Sequence, residues 1–198
     1  MPLKADTSSM NTRPTDFLKH HLLIAMPQLA DNHFANTLVY LVEHGEHGAM
    51  GLVVNRPMGL NLADVLPQLR SDWVPAEHCQ DIPIFAGGPV HSERGFVLHS
   101  ADHAYQSTIA LGELSLSSSQ DVLFAIADGQ GPQHYLITLG YAGWDSGQLE
   151  QELLDNVWLT CPCEPQILFQ TPVEQRLNAA AALLGVNLAL LSAEAGHA

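Results

Sequence analysis

The chain has 198 residues, of which 46% are hydrophobic, enough for a single domain with its own core. Its 21 Asp and Glu face 7 Lys and Arg, a formal net charge of −14. Lys4, Arg13 and Lys19 lie near the start, and Arg56, Arg70, Arg94 and Arg176 make no basic stripe, which argues against direct nucleic-acid binding and against an anionic membrane surface.

Cys79, Cys161 and Cys163 are too sparse for a disulfide framework and suit a reducing compartment. No run approaches the 18 or so apolar residues of a membrane span, and the polar opening lacks an apolar signal core. Residues 1–16 are therefore expected to be a mobile tail, 17–198 a single domain, and the cytoplasm its location.

Residues 21–26 form a compact apolar run ended by Pro27, a buried strand. A polar connection leads to 37–42, rich in β-branched and aromatic residues. With a turn at 43–48 and a return over 49–55, this predicts a β-hairpin. Residues 56–59 read as a second turn. Asn61 is placed to cap a short helix with Leu62, Val65, Leu66 and Leu69 on its apolar side, shortened by Pro67. After a loop over 70–81 come strands at 82–86 and 95–99, a turn at 87–90 between them, and one strand over 107–114. Ser119 is placed to cap a helix over 120–127 that stops at Gly129.

The stretch Gly140-Tyr-Ala-Gly-Trp-Asp-Ser-Gly-Gln-Leu-Glu150 follows a predicted strand at 134–139 and precedes a helix near 146–156. Asp145 and Gln148 match a capping box, and Trp144 and Leu149 a hydrophobic staple, so it reads as a tight strand-to-helix corner. Asp145 would itself occupy the helix N-terminus, which argues against phosphate binding there. Extended segments at 156–159 and 166–170 flank Cys161-Pro-Cys163. Thr171-Pro-Val-Glu174 opens a last helix that stops at Gly185. Strands early and mixed elements later indicate an α+β domain.

No reaction centre stands out. His44-Gly-Glu-His47 beside Glu43 concentrates ligand types, but one turn cannot surround a metal, so no metal site is expected. Cys161-Pro-Cys163 lacks redox spacing, and the glycine runs at 87–88 and 140–147 match neither a nucleotide loop nor a nucleophile elbow. No cofactor is expected. Arg56 and Arg94 are scarce cations on turns beside strands, where binding sites sit.

Ala25-Met-Pro27, Asp31, Phe34, Glu43-His44, Gly48-Ala-Met-Gly51, Asn55-Arg-Pro57, Gly87-Gly-Pro-Val90, Arg94-Gly-Phe-Val-Leu-His99 and Gly140-Tyr-Ala-Gly-Trp144 together resemble the YqgE/AlgH family of bacterial proteins, over roughly residues 17–198. The resemblance implies an α+β fold whose bent, mixed β-sheet forms a pseudo-barrel with flanking helices. It brings no established activity, no catalytic residues and a transcriptional-regulator label that fits the acidic charge only by an indirect route. The expected function is a non-catalytic regulatory or adaptor domain for a small ligand or an unidentified protein partner. The candidate binding residues are Glu43, His44, Asn55, Arg56, Gly87, Gly88, Arg94, His99, Tyr141 and Trp144. The alternatives are an enzyme using His44 or His99 with Arg56 or Arg94, which requires those side chains to share one pocket, and a DNA-binding regulator, which the charge disfavours.

Overall fold

In a computed structural model, residues 18–29 and 31–195 are described, with side chains described through Leu191; the tail expected over 1–16 lies outside them. The first strand, β1 (His21–Ala25), pairs antiparallel with β2 (Leu38–Gly45), which turns into β3 (Gly48–Val53). Then come β4 (Pro57–Asn61), α1 (Leu62–Leu69), β5 (Pro83–Ala86) and β6 (Val90–Ser100). The hairpin β7 (Thr108–Leu111) and β8 (Leu114–Ser117) leads to α2 (Asp121–Ala127) and β9 (Tyr135–Trp144). The chain continues as α3 (Gln148–Leu154), β10 (Trp158–Pro162), α4 (Pro165–Phe169), α5 (Arg176–Leu183) and α6 (Leu188–Ala195). The strands form one sheet in the order β10-β1-β2-β3-β9-β6-β8-β7. Off this path, β5 runs parallel to β9 and carries β4 on its other side.

The alternation of side chains along each strand divides the core. Leu22, Ile24, Tyr40, Leu52, Phe85, Phe96 and Leu98 meet in one cluster with Leu168, Ala180 and Leu188, so the sheet curls into a half-barrel around an interior that α4, α5 and α6 cover. The intervening residues Leu23, Val39 and Val53 face outward and pack with Trp144, Leu149 and Trp158 under α3. Ile84, Val97 and Ile137 face outward at the other end, beneath α1 and α2. Strands buried on both faces are continuously apolar, which is why 21–26 and 37–42 are so legible.

The cap of α1 follows from local chemistry. Asn61 Oδ1 accepts from the Asp64 N–H at 3.1 Å and Asp64 Oδ2 accepts from the Asn61 N–H at 2.9 Å, closing a capping box on α1. The expected hairpin over 37–55 is present, although β2 continues through Glu43 and His44 to Gly45 and the turn shrinks to its tip. Four expectations are corrected by long-range pairing. Residues 57–61 form β4 because β5 offers them an edge. Residues 107–114 fold back as the β7–β8 hairpin, with Leu111 opposite Leu114. Residues 165–169 are the helix α4, seated by Ile167 and Leu168 in the interior. The strand predicted at 134–139 runs on through Trp144, so the corner comes later and α3 is capped by Gly147 rather than Asp145. Half of the expected box forms there, as the Asp145 N–H donates to Gln148 Oε1 at 3.0 Å.

β9 pairs with β5 and with the second half of β6 before Gly140 and with β3 after it, where β6 keeps one pairing, Val90 opposite Tyr141. At the changeover its backbone lies against Gly87-Gly88. Gly140 has φ +72° and Gly88 φ +154°. A Cβ on Gly87 would fall on the Gly140 carbonyl oxygen, one on Gly140 would fall on the Gly88 carbonyl oxygen, and one on Gly88 would fall inside the Tyr141 carbonyl group. Only glycine permits this contact, because both the dihedrals and the space exclude a side chain. Gly88→Ala is expected to cost roughly 3 kcal/mol or more of unfolding free energy, whereas Gly95→Ala, whose added methyl group meets only Leu139 at 3.8 Å, is expected to cost about 1 kcal/mol or less. Urea denaturation of the two variants checks the contrast.

Candidate functional site

Most of the sequence-selected polar residues are builders of the fold. Asn55 Oδ1 accepts from the Leu38 N–H at 2.8 Å, and its Nδ2 donates to the Asn36 carbonyl at 3.0 Å. Arg56 donates to the carbonyls of Asn32, His33 and Ala35 at 3.3, 2.6 and 3.0 Å. Together they clamp the connection before β2, and the Arg56 guanidinium is spent on carbonyls rather than held out for an anion.

His44 lies in β2 and is 7% exposed, not on a solvated turn. Its Nδ1 accepts from the Leu18 N–H at 2.9 Å, which places the proton on Nε2, where it is donated to Glu150 Oε1 at 2.9 Å. Glu43 is exposed and lines a shallow hollow at the hairpin tip with Glu46, His47 and Trp144. No group of three metal-ligand side chains converges among the described residues. Trp144 is buried and its Nε1 donates to Glu152 Oε2 at 2.8 Å; Trp158 Nε1 donates to the same oxygen at 2.8 Å. Tyr141 faces the opposite side of β9, edge-on to Phe96 at 6.1 Å. Gly87 and Gly88 serve the backbone crossing.

His99 is fully buried on the α1–α2 side. Its Nδ1 donates to the Ser100 carbonyl at 2.8 Å, so Nε2 accepts from Ser117 Oγ at 2.8 Å. Ser117 Oγ in turn accepts from Thr108 Oγ1 at 2.7 Å, which accepts from the Tyr105 N–H at 2.7 Å. The relay joins β6 to β8 and orders the entry to β7. Burial pushes the His99 pKa below its usual 6.5, against the opposing pull of the Ser100 carbonyl. Nearby Asp102 is held down to about 2. Burial alone would raise it, but hydrogen bonds from Ser100 Oγ and the Gln133 N–H outweigh that. Burial also pushes the thiols of Cys161 and Cys163 up, to about 11 and about 12, so both stay protonated and unreactive at neutral pH.

A cavity of about 420 Å³ opens between α1, α2 and the sheet. Val65, Leu69, Ile84, Leu123 and Ile137 give it an apolar floor; Gln68, Glu93, Ser118 and Gln120 stand at its polar rim. Arg94 is also at the rim, but its guanidinium lies over the Phe96 ring at 5.5 Å. His44, Arg56 and His99 line none of this cavity, so the side chains that an enzyme reading needs together are held apart in separate places. Sequence reasoning missed the cavity because its walls are ordinary Leu, Ile and Val. The apolar stripe of α1 and the scarce cation Arg94 were its visible traces.

Two outcomes follow from these contacts. Arg56→Ala is expected to cost about 2–3 kcal/mol, and Arg56→Lys to recover little, since an ammonium cannot fork across three carbonyls. Denaturation midpoints check both. For pH, a histidine with a depressed folded pKa stabilises the fold above its unfolded value and ceases to as protons bind. Stability should therefore fall as pH drops below about 6.5, and His99→Gln should flatten that slope. The contribution of Asp102 is lost separately, between about 3.8 and about 2.

Comparison with known proteins places this fold. The DUF179 family model, described as AlgH-like, matches residues 22–189. A UPF0301 protein of Stutzerimonas stutzeri is 65% identical over 189 residues, 96% of this chain and 100% of its own. The UPF0301 protein AlgH of Pseudomonas aeruginosa is 66% identical over 182 residues, 92% of this chain and 96% of its own. The solution structure of AlgH from Pseudomonas aeruginosa superposes with a TM-score of 0.79 at 64% identity, covering 96% of this chain and 100% of that one. Protein DIP2367 of Corynebacterium diphtheriae shares the fold at 20% identity, with a TM-score of 0.69 over 88% of this chain and 91% of its own. The chain belongs to the AlgH-like family, whose biochemical function is not established.

Proposed function

We propose that the chain works by binding, as a non-catalytic regulatory or adaptor domain of the cytoplasm. The observation that carries this reading is the 420 Å³ cavity between α1, α2 and the sheet, apolar within and polar at its mouth. Its volume lies in the range of small-molecule sites, about 300–1,000 Å³. The occupant is a small, largely apolar ligand, or apolar side chains presented by a protein partner, seated between Leu69 and Leu123. An acid–base centre is not favoured, since His44 and His99 are committed to the hydrogen bonds that order β2 and β8. A direct grip on DNA is not favoured by a net charge of −14, so an effect on transcription would pass through the ligand or partner.

Leu69→Trp fills the cavity from α1 with an apolar group and leaves the caps of the helix in place. Ligand-detected NMR with a library of small apolar fragments is the measurement. Fragments that bind the wild type are expected to bind this variant about tenfold more weakly or worse, while its thermal midpoint stays close to wild type. Fragments that bind both proteins equally, or a library that finds no binder, would remove this cavity as the site.

A further inference from the structure

Among the described residues, Arg176 is the one Lys, Arg, Asp or Glu that is buried, at 6% exposure. It opens α5 beneath the curled sheet. Its Nη1 donates to the Val54 carbonyl at 2.6 Å and its Nε to the Thr171 carbonyl at 3.2 Å, and its guanidinium carbon stands 5.4 Å from the centre of the Phe85 ring. A guanidinium has five N–H donors, so these two bonds leave one on Nη1 and two on Nη2. Carbonyls and a ring face supply partial charges only. No carboxylate lies within 4.0 Å of Arg176 among the described residues, and the nearest acid in sequence, Glu174, is exposed. In a chain with three acids for every base, a buried cation without a counter-ion is out of keeping with the cost of burying charge. Burial lowers its pKa, and Glu174 opposes this only from a distance.

Beside Arg176 is a cavity of about 170 Å³. Phe85, Leu136, Phe169 and Val173 form its walls with Arg176. Phe85, Leu136, Phe169 and Val173 come from the interior cluster, whereas Ile82, Tyr135 and Ile137, which also line it, come from the α1–α2 side; of its lining residues only Ile137 also lines the larger cavity.

We propose that this cavity binds a small organic monocarboxylate, with the carboxylate on the remaining N–H donors of Arg176 and a short apolar body against Phe85, Phe169 and Val173. A planar carboxylate matches the guanidinium fork and neutralises one buried charge with one. Phosphate, at nearly two negative charges, would leave a net charge among apolar walls. The volume is below that of drug-sized sites, which limits the ligand to a few carbons. The site shares only Ile137 with the larger cavity and does not rest on the role proposed for that cavity.

The test is a titration of the full chain followed in ¹H–¹⁵N spectra, with butyrate, butan-1-ol and inorganic phosphate as probes. Butyrate is expected to shift the amides of 82–85, 135–137 and 169–176 saturably, and butanol and phosphate to bind there about tenfold more weakly or worse. Arg176→Met should lose the butyrate response. Because Arg176 also holds two carbonyls, Val173→Trp is the second variant: it fills the cavity, keeps the cation, and should lose butyrate binding with its thermal midpoint near wild type. The proposal is overturned if butyrate produces no saturable shifts in these segments, if butanol or phosphate binds as tightly, or if butyrate binds Val173→Trp as it binds wild type.

Discussion

Two backbones touch where Gly87-Gly88 meets Gly140-Tyr141, and the architecture depends on that contact. β9 must pass from the β5–β6 end of the sheet to the β3 end within ten residues, and it does so against another chain segment with no side chain between them. Any Cβ there would push β5 and β6 away from β9. The three hydrophobic clusters would then lose their common wall, since β9 gives Leu136 to the interior, Ile137 to the α1–α2 side and Trp144 to the α3 side. The larger cavity is built against the same strand, as Ile137 and Leu139 line it just before the crossing.

The use of charge is equally constrained. Arg56 and Arg176 hold carbonyls that the strands leave unpaired, and Arg70 and Arg94 lie over aromatic rings, Phe124 at 4.5 Å and Phe96 at 5.5 Å. The carboxylate contacts made by basic side chains among the described residues involve histidine instead: His44 with Glu150, His91 with Glu93 and His103 with Asp102. A guanidinium can satisfy several backbone acceptors at once, which suits it to stitching loops. The abundant carboxylates do comparable work from the other side, as Glu152 does in taking both indole N–H groups on one oxygen.

Local signals in the chain were readable where the physics is local. The Asn61 cap, the apolar runs of β1 and β2, and the hairpin between β2 and β3 all depend on neighbours within a few residues. β4 and the extension of β9 depend on partners far along the chain, and their own residues, Pro57-Met-Gly-Leu and Gly140-Tyr-Ala-Gly, read as turns. The same distinction applies to the site. His44, Asn55, Arg56 and His99 were visible as unusual polar residues, but their roles were not, because His44 meets Glu150 across 106 positions and Arg56 meets carbonyls some two dozen residues upstream. Arg176 drew no attention in sequence. Its significance lies in Val54, 122 positions away.

The position of β9 in the chain also sets an order of events during synthesis. Strands β3, β5 and β6 each need β9 as a neighbour, yet β9 begins only at Tyr135. A nascent chain therefore carries the apolar faces of its first two-thirds, with open strand edges, until residue 144 leaves the ribosome. Contacts this distant in sequence slow closure of the sheet and prolong exposure to other chains. Gly140 stands where this single late strand passes from one part of the sheet to the other.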